Sequence, residues 1–192
     1  DISTPIFVGQ SPALSCYCIP TLAAGNLGCT DGDVIAQISI LNGATNLYTN
    51  TSGAGCPSGL VGYSDYTSLG SVVNMQAGNT YTCQVFAGQY GEHYTAWVDY
   101  NDDGAFAPSE RIGFTTVQAP GSGSVGVVST TPANFNITLA CNPLPGAHRM
   151  RVRCVFGVAN GLAINPCAQN NFYGETEDYI ITIDPPLSCP AP

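Results

Sequence analysis

His148-Arg149-Met150-Arg151-Val152-Arg153-Cys154-Val155-Phe156 is the stretch that decides the fold. Arginine takes every second position from 149 to 153, and Met150, Val152 and Cys154 fill the positions between. Successive side chains of an extended strand point to opposite faces, so this alternation predicts a β-strand with one solvated face and one face on a core. No helical period competes with it.

Working outward, similar patterns recur in VIAQISIL (34–41), GYSDYTS (62–68), NTYTCQVFA (79–87), HYTAWVDY (93–100), RIGFTTV (111–117), ANFNITLAC (133–141) and EDYIITID (177–184). The Asn42-Gly43 turn joins the first of these to a short strand near 46–51, a hairpin signature. Roughly nine strands with Gly/Pro/Asn turns between them predict an all-β fold, an antiparallel β-sandwich of immunoglobulin-like or jelly-roll-like type. The segment APGSGSVGVVSTTP (119–132) is expected to be a Gly/Ser loop with a short strand inside it. The sandwich is assigned to 31–184, between an N-terminal segment (1–30) and a Pro-rich tail (185–192).

Lysine is absent, and Arg111, Arg149, Arg151 and Arg153 stand against thirteen Asp and Glu, for a formal charge of −9. That balance argues against nucleic acid and favours hard cations, whose ligands are carboxylate and carbonyl oxygens. Only 9% of residues are charged, which leaves no material for long amphipathic helices. No apolar run is long enough for membrane insertion.

The nine cysteines, at 16, 18, 29, 56, 83, 141, 154, 167 and 189, lack the paired spacings of a zinc site. They predict a disulfide-braced chain in an oxidising compartment, secreted or at the cell surface. Cys16, Cys18, Cys29, Cys56, Cys83, Cys141, Cys154 and Cys167 are candidates for internal bridges, with Cys154–Cys167 and Cys83–Cys141 as the expected pairs. The odd count leaves Cys189, in PPLSCPAP, for an intermolecular bond.

The sharpest chemical signal is Asp99-Tyr-Asn101-Asp-Asp103-Gly104-Ala105-Phe106-Ala-Pro-Ser-Glu110. Oxygen-bearing side chains occupy positions 1, 3, 5 and 12 of a twelve-residue loop, Gly holds position 6, and Ala105 offers a carbonyl at position 7. This is the ligand spacing of an EF-hand loop, so Asp99, Asn101, Asp103, Ala105 and Glu110 are expected to hold Ca2+. The flanks read as strands, which makes the expected role structural: unpaired, the carboxylates repel one another, and the ion turns that repulsion into a cross-link between two strands.

GYSDYTS (62–68), AGNTYT (77–82), WVDYNDDGAF (97–106), HRMRVR (148–153) and GETEDYIITI (174–183), in this order, resemble the GEVED domain family of secreted and surface bacterial proteins. The likeness covers about 56–184, and Thr176 stands where the name of the motif has Val. It implies a non-enzymatic β-sandwich of adhesive or accessory type. In the motif, Glu175, Glu177 and Asp178, with Asp65, are expected either to form cross-strand ion pairs with Arg149 and Arg151 or to gather as a second cation site.

His93 and His148 are the only candidate bases, and neither has a nucleophile motif beside it, so no catalytic centre is expected. The expected function is a calcium-stabilised extracellular structural or adhesive subunit that polymerises with copies of itself, as DISTPIFVGQ (1–10) adds to an open sheet edge of its neighbour. The alternative is a carbohydrate-binding module using Trp97, Tyr63, Tyr66, Tyr90, Tyr94 and Tyr100, although a lone Trp in a sandwich is more often core.

Overall fold

The computed structural model describes residues 17–20, 28–55, 62–168 and 173–187. Among them run ten strands and no α-helix: β1 (Ile35–Asn42), β2 (Thr45–Thr51), β3 (Tyr63–Asp65), β4 (Ser71–Gln76), β5 (Thr80–Ala87), β6 (His93–Val98), β7 (Arg111–Phe114), β8 (Ala133–Thr138), β9 (Gly146–Val155) and β10 (Gly174–Asp184). One sheet has the order β2-β1-β5-β8. The other runs β3-β10-β9-β6-β7, with β4 continuing beside β10 beyond β3.

The all-β sandwich is as expected, with two differences. β4 is an added strand, and only Val73 and Met75 of it face inward, too short an alternation to stand out in the sequence. Further, β10 pairs with β3 and β4 in parallel, so the larger sheet is mixed. Parallel neighbours need a long crossover, and residues 77–173, between β4 and β10, supply it. In 119–132 the expected short strand is reduced to a single bridge between Glu92 and Ala119.

The core lies between the sheets. Ile38, Ile40, Val85, Phe135 and Ile137 meet Tyr94, Ala96, Met150, Val152, Tyr179 and Ile181, all buried. Burial on this scale is the main favourable contribution, at about 25 cal/mol per Å2 of apolar surface.

The expected solvated face of β9 is a correction. Arg149, Arg151 and Arg153 are 2%, 0% and 2% exposed. A third layer covers them, made of residues 17–20, the 99–110 loop and the 157–168 loop, with Tyr17, Trp97, Phe106, Val155 and Ile164 as its apolar cluster. The guanidinium groups replace water with protein carbonyls: Arg153 Nη1 donates to Asn165 O and Nη2 to Ala168 O, both at 2.8 Å.

A disulfide, Cys18–Cys167, ties two parts of that cover together. The expected pairs Cys154–Cys167 and Cys83–Cys141 do not form. Cys83 and Cys154 are buried free thiols inside the sandwich, on the opposite side of the larger sheet from Cys167. Cys29 and Cys141 are each disulfide-bonded. Cys16, Cys56 and Cys189 lie outside the described residues, as does the 1–10 segment expected to pair with a neighbour.

Candidate functional site

The 99–110 loop leaves the end of β6 and returns as β7, and the pairing of Trp97 with Arg111 holds its two ends together. Strand alternation turns Asp99 to the same side as Trp97, under the outer cover, where it is fully buried. Its Oδ2 accepts from Tyr17 Oη at 2.6 Å and from Gly104 N at 2.9 Å, and its Oδ1 accepts from Asp103 N at 3.3 Å. Gly104 sits at φ +85°, a left-handed conformation that glycine adopts without steric cost, and this turns its N–H back onto Asp99.

The other expected ligands are drawn into the same loop. Asn101 Oδ1 accepts from Asp103 N at 3.2 Å, and Asn101 Nδ2 donates to Asp103 Oδ2 at 2.9 Å. Asp103 Oδ1 accepts from Ala105 N at 2.9 Å. Glu110 reaches back across the loop: Oε1 accepts from Tyr100 N at 2.9 Å and Oε2 from Ala107 N at 2.7 Å. Asp99 and Glu110 are buried at the two ends, whereas Asn101 and Asp103 stand at the exposed rim.

Burial raises the Glu110 carboxyl above the usual carboxylate range, its two N–H donors oppose that, and the charges of Asp99 and Asp103 push it further up. Among the described residues no three His, Cys, Asp or Glu side chains already converge at metal-ligand distances. The donor set itself, three carboxylates, an amide and a carbonyl, has the hard-oxygen chemistry of a calcium site. Asp102, at φ +54°, accepts from His148 Nδ1 at 3.2 Å, which pins the loop to β9.

The second expected cluster divides between two faces. Asp178 alone joins the arginines: Arg151 Nε and Nη2 donate to its Oδ1 and Oδ2 at 2.7 and 2.8 Å, and Arg149 Nη1 donates to Oδ2 at 3.0 Å. Tyr63 Oη adds a fourth hydrogen bond at 2.9 Å. Glu175 and Glu177 point the other way, into the sandwich, so the expected pairing with Arg149 or Arg151 is corrected. Glu175 Oε2 accepts from Ile35 N and Oε1 from Ser64 Oγ, both at 2.9 Å, while Tyr179 Oη donates to Glu177 Oε2 at 2.5 Å. Asp65 accepts from Thr67 N and Oγ1 at 2.9 and 2.6 Å and stands opposite Asp178 in the β3–β10 register, whereas Glu177 points to the other face of the sheet.

Two residues to which the sequence reading gave no role complete the site. Tyr17 lies with its ring 4.2 Å from the Arg149 guanidinium while its hydroxyl holds Asp99, and Phe106 lies 4.7 Å from that of Arg151. Phe106 carried a signal, a large apolar ring just after the acidic Asp99–Asp103 run. Tyr17 carried none, because its partner is 82 residues away.

Of the aromatic residues considered for sugar binding, Trp97, Tyr63 and Tyr94 are buried and Tyr90 is exposed. His93 is buried against Thr115, and both ring nitrogens of His148 face acceptors of the chain itself.

A family model described as the GEVED domain matches residues 93–182, from the first residue of β6 into β10. The match takes in the 99–110 loop, the arginine strand and Gly174-Glu175-Thr176-Glu177-Asp178, and it leaves out 62–68 and 77–82, which the sequence likeness had included. No curated protein matches the chain.

Proposed function

Residues 93–182 being a GEVED domain, we propose that this chain is a non-enzymatic structural module of the cell exterior, braced by one Ca2+ in the 99–110 loop and joined to its copies by strand addition. The observation that carries the calcium brace is the buried Asp99 carboxylate at the head of a loop whose further oxygen donors are the buried Glu110 at its far end and Asn101 and Asp103 at its exposed rim. Asp99, Asn101, Asp103, the Ala105 carbonyl and Glu110 would hold the ion. Its charge would offset the crowding of three carboxylates and fix the β6–β7 connection over the arginine layer. The disulfide Cys18–Cys167 supports an oxidising, extracellular setting. Calorimetric melting with excess Ca2+ and with chelator tests the brace: a higher Tm with the ion supports it, and superimposable melts oppose it.

Strand addition has its own observation. Among the described residues β7 and β8 end their respective sheets and lie side by side, so two sheet edges without a further strand meet at one place. Beside them runs a groove of about 640 Å3 lined by residues of 112–120 and 132–136. An extended segment seated there would satisfy edge N–H and C=O groups whichever chain provides it. A head-to-tail contact of that kind does not close on itself, so it generates a filament. Electron microscopy of the full chain, and of a chain lacking 1–10, tests it: polymers that persist in the shortened chain refute donation by that segment. Sugar binding is the weaker alternative, since it would have to rest on Tyr90 and its neighbours.

A further inference from the structure

At the end of the sandwich opposite the 99–110 loop, a cavity of about 200 Å3 is lined by Asp31, Asp33, Tyr90, Phe156 and Tyr173. The three rings come from two connections, Tyr90 from the one between β5 and β6 and Phe156 and Tyr173 from the two ends of the one between β9 and β10, and they touch in sequence: Tyr90 and Phe156 have ring centroids 5.8 Å apart, and Phe156 and Tyr173 meet edge-to-face at 6.1 Å. Tyr90 and Phe156 are 37% and 42% exposed, an unusual use of large rings on a surface unless something packs on them.

The acidic wall is the second observation. Asp33 is 1% exposed, and Glu92 behind it is 0% exposed. Among the described residues no N–H or hydroxyl donor reaches Asp33 Oδ1 or either Glu92 oxygen. Burial raises both carboxyls, and the charge of Asp33 raises Glu92 further. Asp33 therefore presents a buried carboxyl oxygen that no donor of the described residues satisfies. The chain has no lysine. Arg149 and Arg151 are bound to Asp178, Arg153 to carbonyls of the outer layer, and Arg111 lies over Trp97.

We propose that this cavity binds a primary alkylammonium group supplied by another molecule, its charged end against Asp33 and Asp31 and its methylenes among Tyr90, Phe156 and Tyr173. Aromatic faces attract cations, and a buried carboxylate accepts N–H bonds most strongly from a charged donor. The volume lies below the roughly 300–1,000 Å3 of ordinary ligand pockets, which limits the occupant to something the size of a side chain. The same chemistry is carried by the lysine side chain of a partner protein and by a free diamine.

The test follows the Tyr90 and Phe156 ring resonances by NMR in the full chain. The probes are Nα-acetyl-lysine methylamide, its Nε-acetylated form and 1,5-diaminopentane. Saturable shifts with the first, weakened about tenfold or more by Nε-acetylation, are expected. Tighter binding of the lysine mimic than of the diamine assigns the site to a protein partner, and the reverse assigns it to a free amine. Asp33→Asn and Tyr90→Ala should each abolish the shifts at the remaining rings. Tyr90 is exposed, so Tyr90→Ala keeps its melting temperature even if Asp33→Asn does not fold. Absence of saturation, equal binding of the Nε-acetylated form, or binding unaffected by Tyr90→Ala overturns the proposal.

Discussion

Arg151 grips Asp178 with two parallel hydrogen bonds, Nε to Oδ1 at 2.7 Å and Nη2 to Oδ2 at 2.8 Å, and both side chains are wholly buried. From that rung Arg151 Nη2 also donates to Cys18 O at 2.8 Å, Nη1 donates to Pro166 O at 2.9 Å, and the guanidinium faces the Phe106 ring. One arginine thus connects the motif strand, both sides of the disulfide strap and the 99–110 loop.

Removing the acid strands two buried cations. Asp178→Ala is expected to cost about 3–5 kcal/mol, because Arg149 and Arg151 lose the carboxylate they share in a desolvated layer. Urea unfolding followed by circular dichroism measures it. A cost under about 1 kcal/mol, the level of an exposed pair, would mean that water reaches the rung.

The inward acids give the opposite pH response to the usual one. Burial raises Glu175 to about 7, from about 4.3 in an unfolded chain. The folded state then binds the proton more tightly, so this contribution is complete below about pH 4.3 and is lost as pH rises to about 7. Glu177 and Glu92, raised further by burial, extend the decline upward. With chelator present to remove any calcium effect, stability should fall from about pH 4.5 to 7.5. Glu175→Gln should flatten part of that slope, since an amide keeps the acceptor for Ile35 N and does not titrate. A slope unchanged in Glu175→Gln would contradict the assignment.

Tyr17→Phe keeps the ring on Arg149 and deletes the hydrogen bond to Asp99. The expected loss is about 1–3 kcal/mol, the range for a buried bond to a charged group. Hydrogen exchange should locate the loosening at Gly104 and Phe106, with the sandwich core unaffected. Faster exchange spread evenly over β1 and β5 would argue against a local latch.

The strap closes a long loop, Cys18 and Cys167 being 149 residues apart. Replacing both with Ser should lower stability by about 2–4 kcal/mol. The arginine layer should then become accessible before the core opens. Free Cys83 and Cys154, held deep in the sandwich with thiols raised by burial, should stay unreactive to thiol reagents until global unfolding.

Much of this was legible in particular residues. Arginine at 149, 151 and 153 marked a strand with two unlike faces, and the oxygen spacing from Asp99 to Glu110 marked the loop. Whether the polar face met water was not legible, because its cover comes from Tyr17, Phe106 and Ile164, residues of irregular segments with no period to betray them. The inward turn of Glu175 and Glu177 did have a signal: they share parity with Tyr179 and Ile181, which are core residues. Charge obscured it, since carboxylates are seldom buried without a cation. Disulfide pairing was illegible for a simpler reason, as spacing along the chain does not say which face of a sheet a cysteine occupies.

The calcium brace is tested most directly at the Gly104 amide, whose N–H points at Asp99. Its 15N–1H resonance would be followed while Ca2+ is added to chelator-treated protein up to about 10 mM, beyond the roughly 10⁻⁴ to 10⁻³ M range of extracellular sites. A saturable shift at one site, absent in Glu110→Gln and not produced by equal Mg2+, is the predicted result. A resonance that stays in place throughout the titration would contradict it.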